Sequence, residues 1–174
     1  MGYKEFAASI LGKFGGSKNK QAAEPLTVYA PFGGNAIAME EIPDPVFSEG
    51  ILGKGCGMEP GEETVCAPFN GTVTQVIDTK HAVGITSKDG LELLIHVGMD
   101  TVAMNGEGFN CLVKEGDTVK LGQKLMTFSM EAIKAAGHPV TTAVVVTNAD
   151  DFADIQVLAK GQVAQGEPLL KAKK

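Results

Sequence analysis

Residues 81–97 read HAVGITSKDGLELLIHV, and this stretch decides the fold class. Two apolar runs, residues 81–86 and 91–97, lie on either side of Asp89-Gly90, a dipeptide typical of tight β-hairpin turns. A turn at this position pairs residues whose numbers sum to about 177–178, so His81 lies opposite residue 96 or 97. The segment therefore predicts an antiparallel hairpin that brings His81 and His96 within reach of each other.

The rest of the chain continues this pattern of short apolar runs between turn residues. The sequence has 174 residues with 22 glycines and no tryptophan, and frequent turns favour strands over long helices. Asn70-Gly71 predicts a second hairpin, and further helix is expected only over residues 130–136 and 151–159. We therefore predict an all-β fold, an antiparallel β-sandwich or barrel-sandwich with a few short helices.

The first twenty residues differ from the rest. Residues 1–14 place apolar side chains on one face of a predicted helix, and residues 1–20 carry four lysines and one glutamate. We interpret 1–20 as an amphipathic basic segment with a linker, and 21–174 as the main domain. Such a helix suits binding to an anionic membrane surface. The alternatives are a terminal helix docked on its own core and a disordered tag.

Composition argues against several classes of protein. The net charge is −6 and all 15 basic residues are lysines, which argues against nucleic acid as a partner. The three cysteines lie far apart and indicate reduced thiols in a cytoplasmic protein. No apolar run approaches the roughly 20 residues that a membrane-spanning helix needs.

The histidine pair is a candidate site for nucleophilic catalysis or for metal binding. A neutral imidazole is a good nucleophile near pH 7, and a second imidazole can donate a hydrogen bond to a transferring phosphoryl group. Thr79 could hold His81 in the required tautomer, and Asp100 could repel or orient a phosphate. The same pair could instead supply two ligands to zinc, or it could be two structural histidines in a sheet.

Three segments resemble the active-site signature of glucose-class enzyme IIA (EIIA) domains of the phosphoenolpyruvate-dependent sugar phosphotransferase system. They are Thr79–Ala82, Glu92–Val102 and Asn105–Phe109. The resemblance runs from about Leu26 to Lys171 and also includes Pro45–Phe47, Gly53–Gly55, Ala67–Thr72, Glu115–Val119 and Val144–Asn148. The amphipathic start is similar to that of stand-alone members.

The resemblance implies a role for each matching residue. His96 matches the histidine that accepts a phosphoryl group from the carrier HPr and passes it to a cysteine of the transporter's IIB domain. His81 matches the partner needed to pass the group on, and Thr79 matches the residue that hydrogen-bonds this partner. Partner binding is expected at Asp100 and on an apolar rim consisting of Val46, Phe47, Ile51, Leu52, Ile77, Leu94 and Val102.

The resemblance also implies cofactor requirements, further partners and a location in the cell. No cofactor is expected to be required, although zinc could bind His81 and His96 in a partner complex. Regulated transporters or enzymes are further expected partners, and the protein is expected in the cytoplasm or at the inner face of the membrane.

Two alternatives belong to other classes. Residues 113–125 and 130–134 resemble biotinyl and lipoyl carrier domains, but Lys134 lacks their attachment signature. A zinc-dependent hydrolase using His81 and His96 would need a third protein ligand, and His138, beside Gly137 and Pro139, is expected in an exposed loop.

Overall fold

A computed structural model describes residues 23–174. The predicted amphipathic segment, residues 1–20, lies outside these residues. The strands are β1 (Thr27–Tyr29), β2 (Gly34–Ala38), β3 (Lys54–Pro60), β4 (Thr64–Cys66), β5 (Gly71–Val76), β6 (Ala82–Ser87), β7 (Glu92–His96), β8 (Phe109–Cys111), β9 (Thr118–Val119), β10 (Lys124–Phe128), β11 (Thr142–Val146), β12 (Asp154–Val157), β13 (Gly161–Val163) and β14 (Pro168–Lys173).

Helix is sparse in the described part of the chain. The helices are α1 (Pro45–Ser48), α2 (Met130–Ala135) and three 3-10 helices at Met39–Glu41, Thr101–Met104 and Ala149–Asp151. None of the helices in residues 23–174 has the length and apolar character needed to cross a membrane. The helix expected near residues 130–136 is confirmed as α2.

The strands form one large sheet and two small ones, and every strand pair is antiparallel. The large sheet has the order β9-β5-β6-β7-β11-β3-β2-β13, and the small sheets have the orders β4-β10-β8 and β12-β14-β1. The predicted all-β antiparallel fold with a few short helices is confirmed.

The hairpin that decides the fold forms as predicted. Strands β6 and β7 pair with Ala82 opposite His96 and Thr86 opposite Glu92, which is the predicted register. Gly90 has φ of +88°, a conformation that glycine adopts without a steric penalty, and the Ser87 amide donates to the Leu91 carbonyl at 2.9 Å. The turn chemistry and the apolar pattern therefore agree on one register.

The two faces of β7 contact different apolar clusters. Leu93 and Ile95 are buried in the main core, whereas Leu94 packs against a second, smaller cluster. This second cluster has five buried members: Ile42, Phe47, Met99, Ala143 and Val145. Since side chains alternate between the two faces of a strand, Leu94 and His96 share one face, and the smaller cluster lies on the face of the sheet that carries His96.

Gly57 lets the segment before α1 lie close against the sheet. A Cβ atom at Gly57 would lie 2.8 Å from the Ile42 Cγ1 atom and 2.9 Å from the Ile37 Cγ1 atom. Because real carbon atoms do not approach so closely, a larger residue would push Ile42 away from β3. Ile42 shares the second cluster with Phe47 of α1, so Gly57 helps to bring α1 towards His96.

The hairpin predicted at Asn70-Gly71 is wrong. Strand β4 pairs with β10, whereas β5 pairs with β6 and β9, so the dipeptide joins two different sheets. The Asn70 side-chain oxygen instead accepts a hydrogen bond of 2.7 Å from the Leu121 amide. Long-range pairing of the flanking strands overrides the local turn preference.

The helix predicted over residues 151–159 is also wrong. The chain there leaves the 3-10 helix Ala149–Asp151 and enters β12, which pairs with β14. Ile155 and Val157 are β-branched and alternate along the segment, a pattern that suits a strand. The extended conformation of this segment is stabilised by its hydrogen bonds to β14, which lies more than ten residues further along the chain.

Candidate active site

The two histidine rings lie against each other at the ends of neighbouring strands. His96 is the last residue of β7, and His81 directly precedes β6. The Val97 amide donates to the His81 carbonyl at 2.8 Å and ties the two strand ends together. The ring centroids are 4.6 Å apart and the ring planes are 81° from parallel. The predicted cross-strand proximity of the two rings is therefore confirmed.

Each ring is held by a hydrogen bond at its Nδ1 atom. His96 Nδ1 lies 2.9 Å from the Gly98 carbonyl oxygen, and a carbonyl can only accept, so Nδ1 of His96 carries the proton. Its Nε2 atom therefore has a free lone pair. His81 Nδ1 lies 2.8 Å from the Thr79 hydroxyl, and when this hydroxyl donates, the His81 proton lies on Nε2.

Burial keeps both imidazoles neutral at pH 7. Burial and, to a smaller extent, the neighbouring His96 lower the pKa of His81 to about 4, against the opposing effect of a backbone hydrogen bond at Thr79. Burial also lowers the pKa of His96, opposed by the Gly98 hydrogen bond and by Asp44. His81 is only 3% exposed, whereas His96 is half-buried. His96 is therefore the more accessible neutral nucleophile of the pair.

We expect the buried His81 to make folding stability depend on pH. Its pKa is about 4 in the folded protein and about 6.5 in an unfolded chain. Between these values the unfolded chain binds more protons, so stability is fully present above pH 6.5 and is lost as the pH falls towards 4. At pH 5 this loss is about 2 kcal/mol.

Urea unfolding at pH 7 and pH 5 measures this effect. Between the two pH values, the free energy of unfolding should fall by about 2 kcal/mol more in the wild type than in His81→Gln. Glutamine does not titrate in this pH range, so the variant lacks this contribution. Equal losses in the two proteins would show that His81 does not resist protonation in the folded state.

The Phe47 ring packs against the His96 ring. Its ring centroid is 5.0 Å from that of His96, and its side chain is 3% exposed. This differs from the expected position on the apolar rim, because a buried ring offers almost no surface to a partner. Phe47 instead shields one side of the imidazole from water and contributes to the low pKa of His96 by burial.

Other residues of the expected rim are open to solvent. Ile51 is 66% exposed and Val102 is 55% exposed. Val46 and Leu52 are also exposed, while Ile77 and Leu94 are half-buried. Exposed large apolar side chains on α1, in the loop after it and on the 3-10 helix Thr101–Met104 are typical of a binding surface.

Two carboxylates, those of Asp44 and Asp100, raise the pKa of His96. Asp100 is exposed, and it precedes the 3-10 helix Thr101–Met104 in a left-handed conformation with φ of +60°. Asp44 was missed by the sequence analysis. Its side chain accepts a hydrogen bond from the Val46 amide and caps α1, and it raises the pKa of His96 more than Asp100 does. An aspartate before Pro45 is a helix-start signal that could have identified it.

The two alternative functions lose support. Within residues 23–174, no group of three or more His, Cys, Asp and Glu side chains is arranged to hold a metal ion. A zinc-dependent hydrolase would require such a set. Lys134 lies within α2 rather than in the tight hairpin turn that presents the cofactor in a biotinyl or lipoyl carrier. His138 follows α2 as a half-buried loop residue.

Comparisons with known proteins agree on one family. The family described as phosphoenolpyruvate-dependent sugar phosphotransferase system, EIIA 1, matches residues 26–152. A glucose-specific EIIA component of Staphylococcus aureus is 41% identical over 150 residues, which cover 86% of this chain and 90% of the relative. A glucoside-specific EIICBA component of Staphylococcus carnosus is 48% identical over 82% of this chain, but the match spans only 20% of that relative.

A solved structure gives the same result. Glucose permease IIA from Mycoplasma capricolum superimposes with a TM-score of 0.78 at 32% sequence identity, covering 83% of this chain and 94% of the other. Residues 26–152, which match the family, contain His81, His96, Thr79 and Asp100. The chain therefore belongs to the EIIA 1 family of the phosphoenolpyruvate-dependent sugar phosphotransferase system, and its role is that of a phosphoryl-relay component.

Proposed function

We propose that His96 Nε2 accepts a phosphoryl group from phospho-HPr and passes it to a cysteine of a IIB domain. In the first step a bond forms between Nε2 and phosphorus while the bond to the donor breaks. In the second step a bond forms between the cysteine thiolate sulfur and phosphorus while the bond between phosphorus and His96 Nε2 breaks, and His96 returns to its neutral form. The observation that carries this proposal is the fixed Nδ1–H of His96, which directs the Nε2 lone pair away from the Gly98 carbonyl.

His81 is the partner in transfer. With the Thr79 hydroxyl donating to Nδ1, the Nε2–H of His81 can donate to an oxygen of the transferring group or to the departing nitrogen of His96. The low pKa of His81 keeps this ring neutral. A neutral donor stabilises the phosphoryl group without forming a permanent ion pair, which suits a group that must leave again.

The apolar rim provides the docking surface for both protein partners. Exposed Val46, Ile51, Leu52 and Val102, with half-buried Ile77 and Leu94, would be covered when HPr or IIB binds. Covering them excludes water, which protects the phosphohistidine from hydrolysis. Asp44 and Asp100 add negative charge near His96, so a partner with positive charge at the matching position would bind with better complementarity.

Other partners and the location follow from the same proposal. The transfer needs no cofactor. His81 and His96 could supply two nitrogen ligands to zinc, but a tetrahedral site would require further ligands from a partner protein. We place the protein in the cytoplasm, with residues 1–14 as a contact to anionic membrane and with regulated transporters or enzymes as further partners.

Phosphoryl transfer from phosphoenolpyruvate through enzyme I and HPr tests the proposal. The wild type should gain one acid-labile phosphate and lose it when a glucose-class IIB domain is added. His138→Ala is a matched control, because it removes a histidine outside the pair and should leave labelling unchanged. A wild type that is never labelled by phospho-HPr would overturn the proposal.

A further inference from the structure

The turn that follows His96 determines the position of the Gly98 carbonyl. Gly98 has φ of +76°, and a Cβ atom there would lie 2.5 Å from the Thr101 Cγ2 atom and 3.2 Å from the Pro139 carbonyl oxygen. The turn is therefore closed around Gly98 with no room for a side chain. Since the Gly98 carbonyl accepts the proton on His96 Nδ1, the shape of this turn determines where that acceptor lies.

A buried hydrogen bond from Thr101 stabilises the turn. Its side chain is completely buried, and its hydroxyl donates to the Val97 carbonyl at 2.6 Å. The amide of the same Val97 donates to the His81 carbonyl, and the Met99 amide donates to the Pro139 carbonyl at 3.1 Å. Val97 is thus joined to His81 on one side and to Thr101 on the other.

The turn contains a left-handed backbone conformation that the Thr101 hydrogen bond helps to stabilise. Asp100 has φ of +60°, a conformation that is unfavourable for most residues other than glycine but that aspartate adopts more readily than most. The Thr101 hydroxyl closes the turn across Asp100. A buried hydroxyl with one good acceptor is also expensive to remove, because the Val97 carbonyl would then lose this partner inside the protein.

We propose that Thr101 is a positioning residue for phosphoryl transfer: its buried hydroxyl fixes the turn whose Gly98 carbonyl holds the proton on His96 Nδ1. The inference rests on the proposed role of His96 as acceptor. Thr101 does not touch the phosphoryl group in this scheme. It acts through Val97 and Gly98, and its effect is to keep the Nε2 lone pair of His96 available.

Two pairs of variants separate positioning from simple packing. Thr101→Val keeps the shape and removes the hydroxyl, whereas Thr101→Ser keeps the hydroxyl. If Thr101→Val does not fold, Thr101→Ala and Thr101→Ser provide a pair that differs by one oxygen atom. Thr27→Val is the matched control, because Thr27 is also a buried threonine whose hydroxyl donates to a backbone carbonyl, that of Pro25, and it lies on β1.

The readouts are the tautomer of His96, measured by ¹⁵N NMR of histidine-labelled full-length protein, and the rate of phosphoryl uptake from phospho-HPr. Thr101→Val should show a mixture of His96 tautomers and an uptake rate lower by about 10- to 100-fold, by analogy with the range found when the hydrogen-bond partner of a metal-ligating histidine is lost. Thr101→Ser and Thr27→Val should keep the Nδ1–H tautomer and remain within about threefold of the wild-type rate.

The outcomes distinguish this inference from the proposed function. An unchanged tautomer in Thr101→Val, or in Thr101→Ala, would overturn the positioning role, whatever the rate. A shifted tautomer with an unchanged uptake rate would also overturn it. If the wild type cannot be labelled at all, the proposed function fails, while the NMR comparison still shows whether Thr101 controls the His96 tautomer.

Discussion

Replacing His96 with alanine is expected to abolish phosphoryl uptake. The variant lacks the nucleophile, and the neighbouring His81 cannot replace it because that ring is 3% exposed. We expect labelling from phospho-HPr to fall by more than about a thousandfold, as is usual when a covalent nucleophile is removed. The measurement is the amount of acid-labile phosphate per protein after incubation with phosphoenolpyruvate, enzyme I and HPr.

Misfolding of the variant must be excluded as the reason for a loss of labelling. His96 contacts Phe47 at a centroid distance of 5.0 Å, so alanine leaves a space above the second cluster. His96→Gln fills more of this space and should be equally inactive, and both variants should keep the wild-type circular dichroism spectrum. Wild-type labelling of a folded His96→Ala protein would place the acceptor on another residue.

Much of the site was predictable because it depends on local chemistry. The Asp89-Gly90 turn and the apolar alternation along β7 set one register, and this register places Ala82 opposite His96. Both signals lie within seventeen consecutive residues, so no distant partner was needed to interpret them. Thr79 lies two residues before His81, close enough in sequence to predict its contact with the ring.

The parts that were missed depend on distant contacts. Phe47 lies 49 residues before His96 in the sequence and packs on it only because α1 rests against the outer face of the sheet. The sequence marks Phe47 as apolar but cannot show whether it faces a partner or an imidazole. The strand at Asp154–Val157 likewise depends on its pairing with β14. The conformation at Asn70-Gly71 depends on the pairing of its two flanking strands in different sheets.

His81 should matter most when the phosphoryl group leaves. In the onward step the departing group is the His96 imidazole, whose Nε2 gains electron density as the bond to phosphorus breaks. The His81 ring lies 4.6 Å away, centroid to centroid, at a right-angled orientation. An Nε2–H donated from this ring stabilises the developing charge, and loss of one such donor typically slows a reaction by about 10²- to 10³-fold.

His81→Ala is therefore expected to accumulate phosphate on His96 but to pass it to IIB about 100- to 1,000-fold more slowly than the wild type. The measurement is single-turnover transfer from the purified phosphorylated variant to a IIB domain, followed by rapid quenching. Thr79→Val should slow transfer less, because the ring remains but loses the hydroxyl at Nδ1, and Thr79→Ser should transfer at nearly the wild-type rate. If His81→Ala transfers as fast as the wild type, the second ring has no part in phosphoryl transfer and its proximity to His96 serves only to exclude water.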